Sequence, residues 1–148
     1  MVPPSLAEAF SRARGLADRQ APILPQMILA EFIHEGHLAA HVRRMRKLYH
    51  ERRDELLRLL EQHVPDALRA DQASCGLHLV GHLPRAADDR LLSERALIQG
   101  LQTPALSNFY QGRAAMAGLV IGFASTGPTQ VESAVQSLAG ILRPEVAA

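Results

Sequence analysis

Hydrophobic positions along the chain recur at helical spacing in its first half and alternate like a strand in parts of its second. Leu6, Ala9, Phe10, Ala13 and Leu16 make one apolar stripe behind Pro3-Pro4. Proline suits a first helical turn, where its missing N–H leaves nothing unsatisfied. Gly15 and the polar Asp18-Arg19-Gln20 end that element ahead of Pro22 and Pro25. From Gln26 the pattern resumes with Met27, Ile28, Ala30, Phe32 and Ile33, and Gly36 interrupts it as a kink or a break between two helices. Leu38, Val42, Met45, Tyr49, Arg52, Leu56 and Leu59 then return every three or four residues, which predicts a helix of more than about five turns, closed by Pro65. Arg52 is the only polar residue on that face, while Arg43, Arg44, Arg46, Lys47 and Arg53 lie largely off it.

After His63 the period shifts. From Gly76 to Leu83 the spacing predicts a strand with Leu77, Leu79, Gly81 and Leu83 on one side and His78, Val80 and His82 on the other, ended by Pro84. Asp88 to Gln99 reads as an amphipathic helix with Leu91, Leu92, Ala96, Leu97 and Ile98 apolar and Gly100 as its stop. Leu101 to Leu106 contains Pro104, which suits an edge rather than a central strand. Gly118 to Ala124 is almost continuously apolar and predicts a strand buried on both faces. Thr126 is the expected N-cap of a last helix that carries Val131, Ala134, Val135, Leu138, Ile141 and Leu142 and stops at Pro144. The fold class expected is α+β, with a long helical arm and connecting helix over 1–63 and a small α/β sandwich over 64–148.

Composition narrows the function classes. A chain of 148 residues has room for one domain with an extension. Its 47% hydrophobic content is too high for a disordered tail. With 16 Lys+Arg against 15 Asp+Glu, the net charge of +1 argues against a dedicated nucleic-acid binder. No apolar run approaches the ~18 residues of a membrane span. The opening MVPPSLAEAF lacks the basic and apolar regions of a signal peptide, so a cytoplasmic protein is expected. The single Cys75 excludes an intramolecular disulfide and a multi-cysteine zinc site.

The candidate chemical groups are few. His34, His37 and His41 share helical spacing, but His-Glu-Gly-His is not the HExxH of zinc proteases and Gly36 threatens the register, so solvated or hydrogen-bonded histidines are expected. The run Arg43-Arg44-Met45-Arg46-Lys47 could meet phosphate, yet Glu51, Asp54 and Glu55 follow, and a solvated face or a protein interface fits better. Cys75 and His78, three residues apart on an extended chain, are too distant for a nucleophile–base pair. Asp88-Asp89 begins a helix, where capping explains it. Phosphate-binding glycine loops and a nucleophile elbow are missing, so no catalytic, cofactor-binding or metal-ligating residue is assigned.

The segment from Gln26 to Leu56, with Phe32-Ile33-His34-Glu35-Gly36-His37 leading into Arg43-Arg44-Met45-Arg46 and Tyr49 to Asp54, resembles the "LA-x-FI-x-EGH…HxRRMRxxYxxRRDxL" signature of MocR-type regulators. These are transcription factors of the GntR superfamily whose C-terminal part is similar to a class I aminotransferase of pyridoxal phosphate (PLP) fold type I. CGLHLV with HLP, PALSNFY and GLVIGFAST follow in matching order. The resemblance implies a C-terminal fragment: the closing helices of a large cofactor domain, the connecting helix and the small domain. Complete members would add a winged helix-turn-helix, PLP and the Schiff-base lysine, and would form head-to-tail dimers. A fragment of a true PLP-dependent aminotransferase is the alternative.

Two departures bear on activity. Lys47 is the only lysine, and it sits in the arginine-rich helix, so the chain alone is expected to hold no PLP. Val120 stands where aminotransferases often place a carboxylate-clamping arginine, and Arg113 does not align to that position, so transamination is not expected. The expected partners are a second copy through the helical arm and the large domain of a complete parent, with no direct DNA contact and no membrane.

Overall fold

The computed structural model describes residues 2–17, 22–71, 76–112 and 116–146. The chain divides into two compact units, Met1–Arg44 and Met45–Ala148.

The first unit holds α1 (Pro4–Ala17), α2 (Ile23–His34) and the start of α3 (His37–His63). The α2 helix begins three residues ahead of the apolar signal at Gln26, because Pro25 falls in its first turn, where no N–H partner is required. It ends where Glu35 N–H donates to the Glu31 carbonyl at 2.9 Å and Gly36 N–H to that of Ile33 at 3.1 Å. Gly36 takes φ of +79°, a left-handed conformation that glycine adopts without a Cβ clash, so the expected interruption is a full break between helices. Neither α1 nor α2 buries a residue.

The second unit contains the rest of α3 and an antiparallel sheet in the order β1 (Arg69–Ala70), β2 (His78–His82), β3 (Gly118–Gly122). Leu79 pairs with Ile121 and Gly81 with Leu119, and these residues line the core face. Leu56, Leu59 and Leu60 of α3 join that core with Leu92 and Ala96, Phe123, and Val135, Leu138 and Leu142. The apolar stripe of α3 is therefore buried in its C-terminal half, while Leu38 and Val42 on the same stripe are each 38% exposed. Two glycines make the sheet possible. A Cβ on Gly118 would lie 2.8 Å from the Gly81 carbonyl oxygen, and one on Gly81 would lie 2.5 Å from Leu68 Cδ2.

Four expectations need correction. The strand around Val120 is not buried on both faces: Val120 is half-buried and Gly122 exposed, because the helices cover the Leu119–Ile121 side. The inward stripe of α4 (Asp89–Ile98) is Asp89, Leu92 and Ala96, spaced to fall on one helix face, which leaves Leu97 and Ile98 outward at 60% and 86% exposure. The last helix, α5 (Pro128–Val146), is capped by Gly127 rather than Thr126. The Gly127 carbonyl accepts from Gln130 and Val131, and its N–H donates to Gln130 Oε1 at 3.2 Å, half of a capping box. That helix also continues past Pro144, whose missing N–H forfeits only one backbone bond in the final turn.

Between α4 and β3, the Val120 N–H donates to the Pro104 carbonyl at 2.9 Å and Ala105 bridges to Leu119, after which Leu106–Phe109 makes a 3-10 turn. Among the described residues no helix is long and apolar enough to cross a membrane.

Candidate functional site

The three histidines do not converge. His34 ends α2, while His37 opens α3, pairs with Glu35 at 2.9 Å and stacks at a tilt on Phe32. The His41 ring meets Arg44 at 3.3 Å. Among the described residues no group of three or more His, Cys, Asp or Glu could hold a metal. Cys75 and Arg113 lie outside the described residues.

In the arginine-rich stretch, Arg43, Arg44, Arg46 and Lys47 are exposed. The Lys47 side chain is 84% exposed, with its amine 4.0 Å from the Glu51 carboxylate. An amine so placed stays in water and lacks the enclosed, desolvated setting that activates a Schiff-base lysine. The residues present do not fit covalently bound PLP.

Arg52 has a different task. Its guanidinium donates to the Ala124 carbonyl just beyond β3, which explains a cation on an otherwise apolar helix face. The paired aspartates also divide their work. Asp88 caps α4, its Oδ1 accepting from the N–H groups of Arg90 and Leu91 at 3.1 Å each. Asp89 points inward and is 5% exposed; its Oδ2 accepts from Ser107 N–H at 2.9 Å and Gly118 N–H at 3.1 Å. Reading both as capping missed this, although the spacing Asp89, Leu92, Ala96 is an inward stripe that could have revealed it.

A groove of about 890 Å³ lies beside Val120. Leu77, Phe109 and Val120 provide apolar surface, and His78, Gln130 and Ser133 provide hydrogen-bonding groups. Thr103, 8% exposed, also borders it, and its hydroxyl has no partner among the described residues. Among the described residues no Asp, Glu, Lys or Arg lines this groove. It can accept neutral or apolar groups, but it offers no guanidinium to clamp a carboxylate and no carboxylate to move a proton.

No family model matches the chain. The probable rhizopine catabolism regulatory protein MocR of Rhizobium meliloti is 35% identical over 138 residues, which cover 93% of this chain and 28% of that protein. Aromatic-amino-acid aminotransferase 1 of Thermococcus litoralis is 23% identical over 97% of this chain and 34% of its own length. The chain thus spans about a third or less of these relatives. In structure, the α-aminoadipate aminotransferase LysN of Thermus thermophilus, solved with N-(5'-phosphopyridoxyl)-L-leucine, superposes with a TM-score of 0.83 at 23% identity, over 99% of this chain and 38% of that one. In sequence this chain resembles MocR along most of its length, and its fold is the one that a part of the Thermus thermophilus aminotransferase adopts.

Proposed function

We propose that this chain is the C-terminal, effector-sensing portion of a MocR-like PLP-dependent transcriptional regulator, without the cofactor-binding and DNA-binding parts. In a complete relative, the small domain closes over the cofactor and an amino compound, and the change in population is passed to the DNA-binding domain. The observation that carries this reading is the 35% identity to a regulator along 93% of the chain. The uncharged groove at Val120 supports it, since sensing an amino compound does not require the clamp that turnover of an amino acid uses. By itself the chain is catalytically silent and takes up no PLP, because Lys47 is exposed.

The second reading, a piece of a true aminotransferase, is favoured by the match to the Thermococcus litoralis enzyme. Genomic sequence upstream of the Met1 codon separates the two. A frame continuing into a lysine-bearing domain preceded by a winged helix-turn-helix is the expected result. The same frame without the helix-turn-helix selects the enzyme reading, and no continuing frame removes both.

The exposed arm bears on association. Phe10, Met27, Phe32 and Ile33 are 57%, 63%, 42% and 51% exposed. Each large apolar side chain left in water forgoes part of the ~1.5–3 kcal/mol that full burial would supply. Homo-oligomerisation through α1 and α2 is the simplest way to recover it.

A further inference from the structure

A second pocket, of about 670 Å³, lies between α3 and the ends of β2 and β3. Arg46, Tyr49, His50 and Arg53 recur at three- and four-residue intervals and form one wall with Lys47 beside them. Leu77 and Phe123 form the opposite wall, tied together by the Phe123 N–H donating to the Leu77 carbonyl at 3.2 Å. Among the described residues no carboxylate lines this pocket.

The carboxylates of α3 stand at its margin. Asp54 accepts from Arg53 Nε at 3.2 Å and Nη2 at 2.9 Å and meets His50 at 3.3 Å, while Glu51 reaches Lys47 only at 4.0 Å. The Arg53 side chain, 18% exposed, is thereby held in place. Arg46 and Lys47 supply the outward charge. A positive wall beside low-dielectric apolar surface concentrates field in the space between, and guanidinium groups match phosphate and carboxylate geometry.

We propose that this pocket binds a small organic anion, with its phosphate or carboxylate on Arg46, Lys47 and Arg53 and its apolar body against Leu77 and Phe123. The site is separate from the neutral groove at Val120 in its chemistry, and the inference does not rest on the regulator reading.

Calorimetric titration of the full chain with phenyl phosphate, inorganic phosphate and phenol tests it. Phenyl phosphate should bind about tenfold more tightly than either half of the molecule offered alone. The double variant Arg46→Gln, Lys47→Gln, at exposed positions, should lose about tenfold in affinity for phenyl phosphate. Leu77→Ser should keep inorganic phosphate binding and reduce the preference for the phenyl ester about threefold. The charge-matched pair Arg12→Gln, Arg14→Gln on α1 should change neither. Phenyl phosphate binding no better than inorganic phosphate, or an equal loss in the α1 variant, would overturn the proposal.

Discussion

Replacing Asp89 tests whether one buried carboxylate holds three elements of the second unit together. It opens α4 and accepts from Ser107, at the 3-10 turn, and Gly118, at the start of β3. Asp89→Ala leaves two backbone N–H groups without an acceptor in a buried setting, at roughly 1–3 kcal/mol each. The expected loss is therefore about 2–6 kcal/mol, a large share of the ~5–15 kcal/mol that stabilises a domain. Asp89→Asn can keep both bonds to its amide oxygen but loses their charge assistance, so about 2 kcal/mol is expected. Burial alone pushes the Asp89 carboxyl up. The hydrogen bonds from Ser107 and Gly118, with the charge of Arg90, outweigh it and hold the group below its ordinary value. A carboxylate with a lowered folded pKa stabilises the fold above its unfolded value of ~3.9, and that contribution vanishes as pH falls through the folded value. The gap between wild type and Asp89→Asn should accordingly narrow in acid. Urea unfolding followed by circular dichroism measures the loss, and hydrogen exchange at the Val120 amide, which is bonded to the Pro104 carbonyl, localises it to the margin of β3. An alanine variant within about 0.5 kcal/mol of wild type, or an asparagine deficit unchanged below pH ~4, would refute the assignment.

Gly118→Ala should destabilise more than Gly81→Ala, because the new methyl meets the Gly81 backbone oxygen in the first case and the Leu68 side chain in the second; about 1–3 kcal/mol is expected where a side chain can yield, and thermal melts rank the two. The purified chain mixed with PLP should show no stoichiometric aldimine absorbance, and a band that disappears in Lys47→Ala would contradict this. Sedimentation of wild type should show self-association that Phe32→Glu with Ile33→Glu abolishes, whereas a monodisperse wild type whose α1 and α2 resist protease as well as the sheet does would remove the arm from consideration.

Elements were legible where the apolar period was long or punctuation was strong. The stripe through Leu56 and Leu59, the break at Gly36, the Asp88 cap and the faces of β2 could all be read from spacing. The two-residue β1 was invisible because alternation has no meaning over Arg69 and Ala70. Leu97 and Ile98 misled because apolar identity does not specify which way a helix turns; the fully buried Leu92 and Ala96 do. At the candidate site, the exposed state of Lys47 agrees with its charged neighbourhood in sequence. The Arg52 link to Ala124 spans 72 positions and carries no local signal beyond a cation on an apolar face. The pocket beneath Arg46 and Arg53 likewise requires Leu77 and Phe123 to arrive from elsewhere in the chain.

The segment at Pro104 has a consequence for aggregation. β3 is an outer strand of the sheet, and its run Leu119-Val120-Ile121 has the composition that recruits further strands into fibrils. Its outward side is already engaged, since Ala105 bridges to Leu119 and the Pro104 carbonyl takes the Val120 N–H. Pro104 itself has no N–H with which to extend the ladder. A second molecule arriving by strand addition therefore finds this margin occupied by a residue that cannot pass the pairing on. Molecules that meet through α1 and α2 should assemble as helices, keep their helical dichroism and leave amyloid dyes dark.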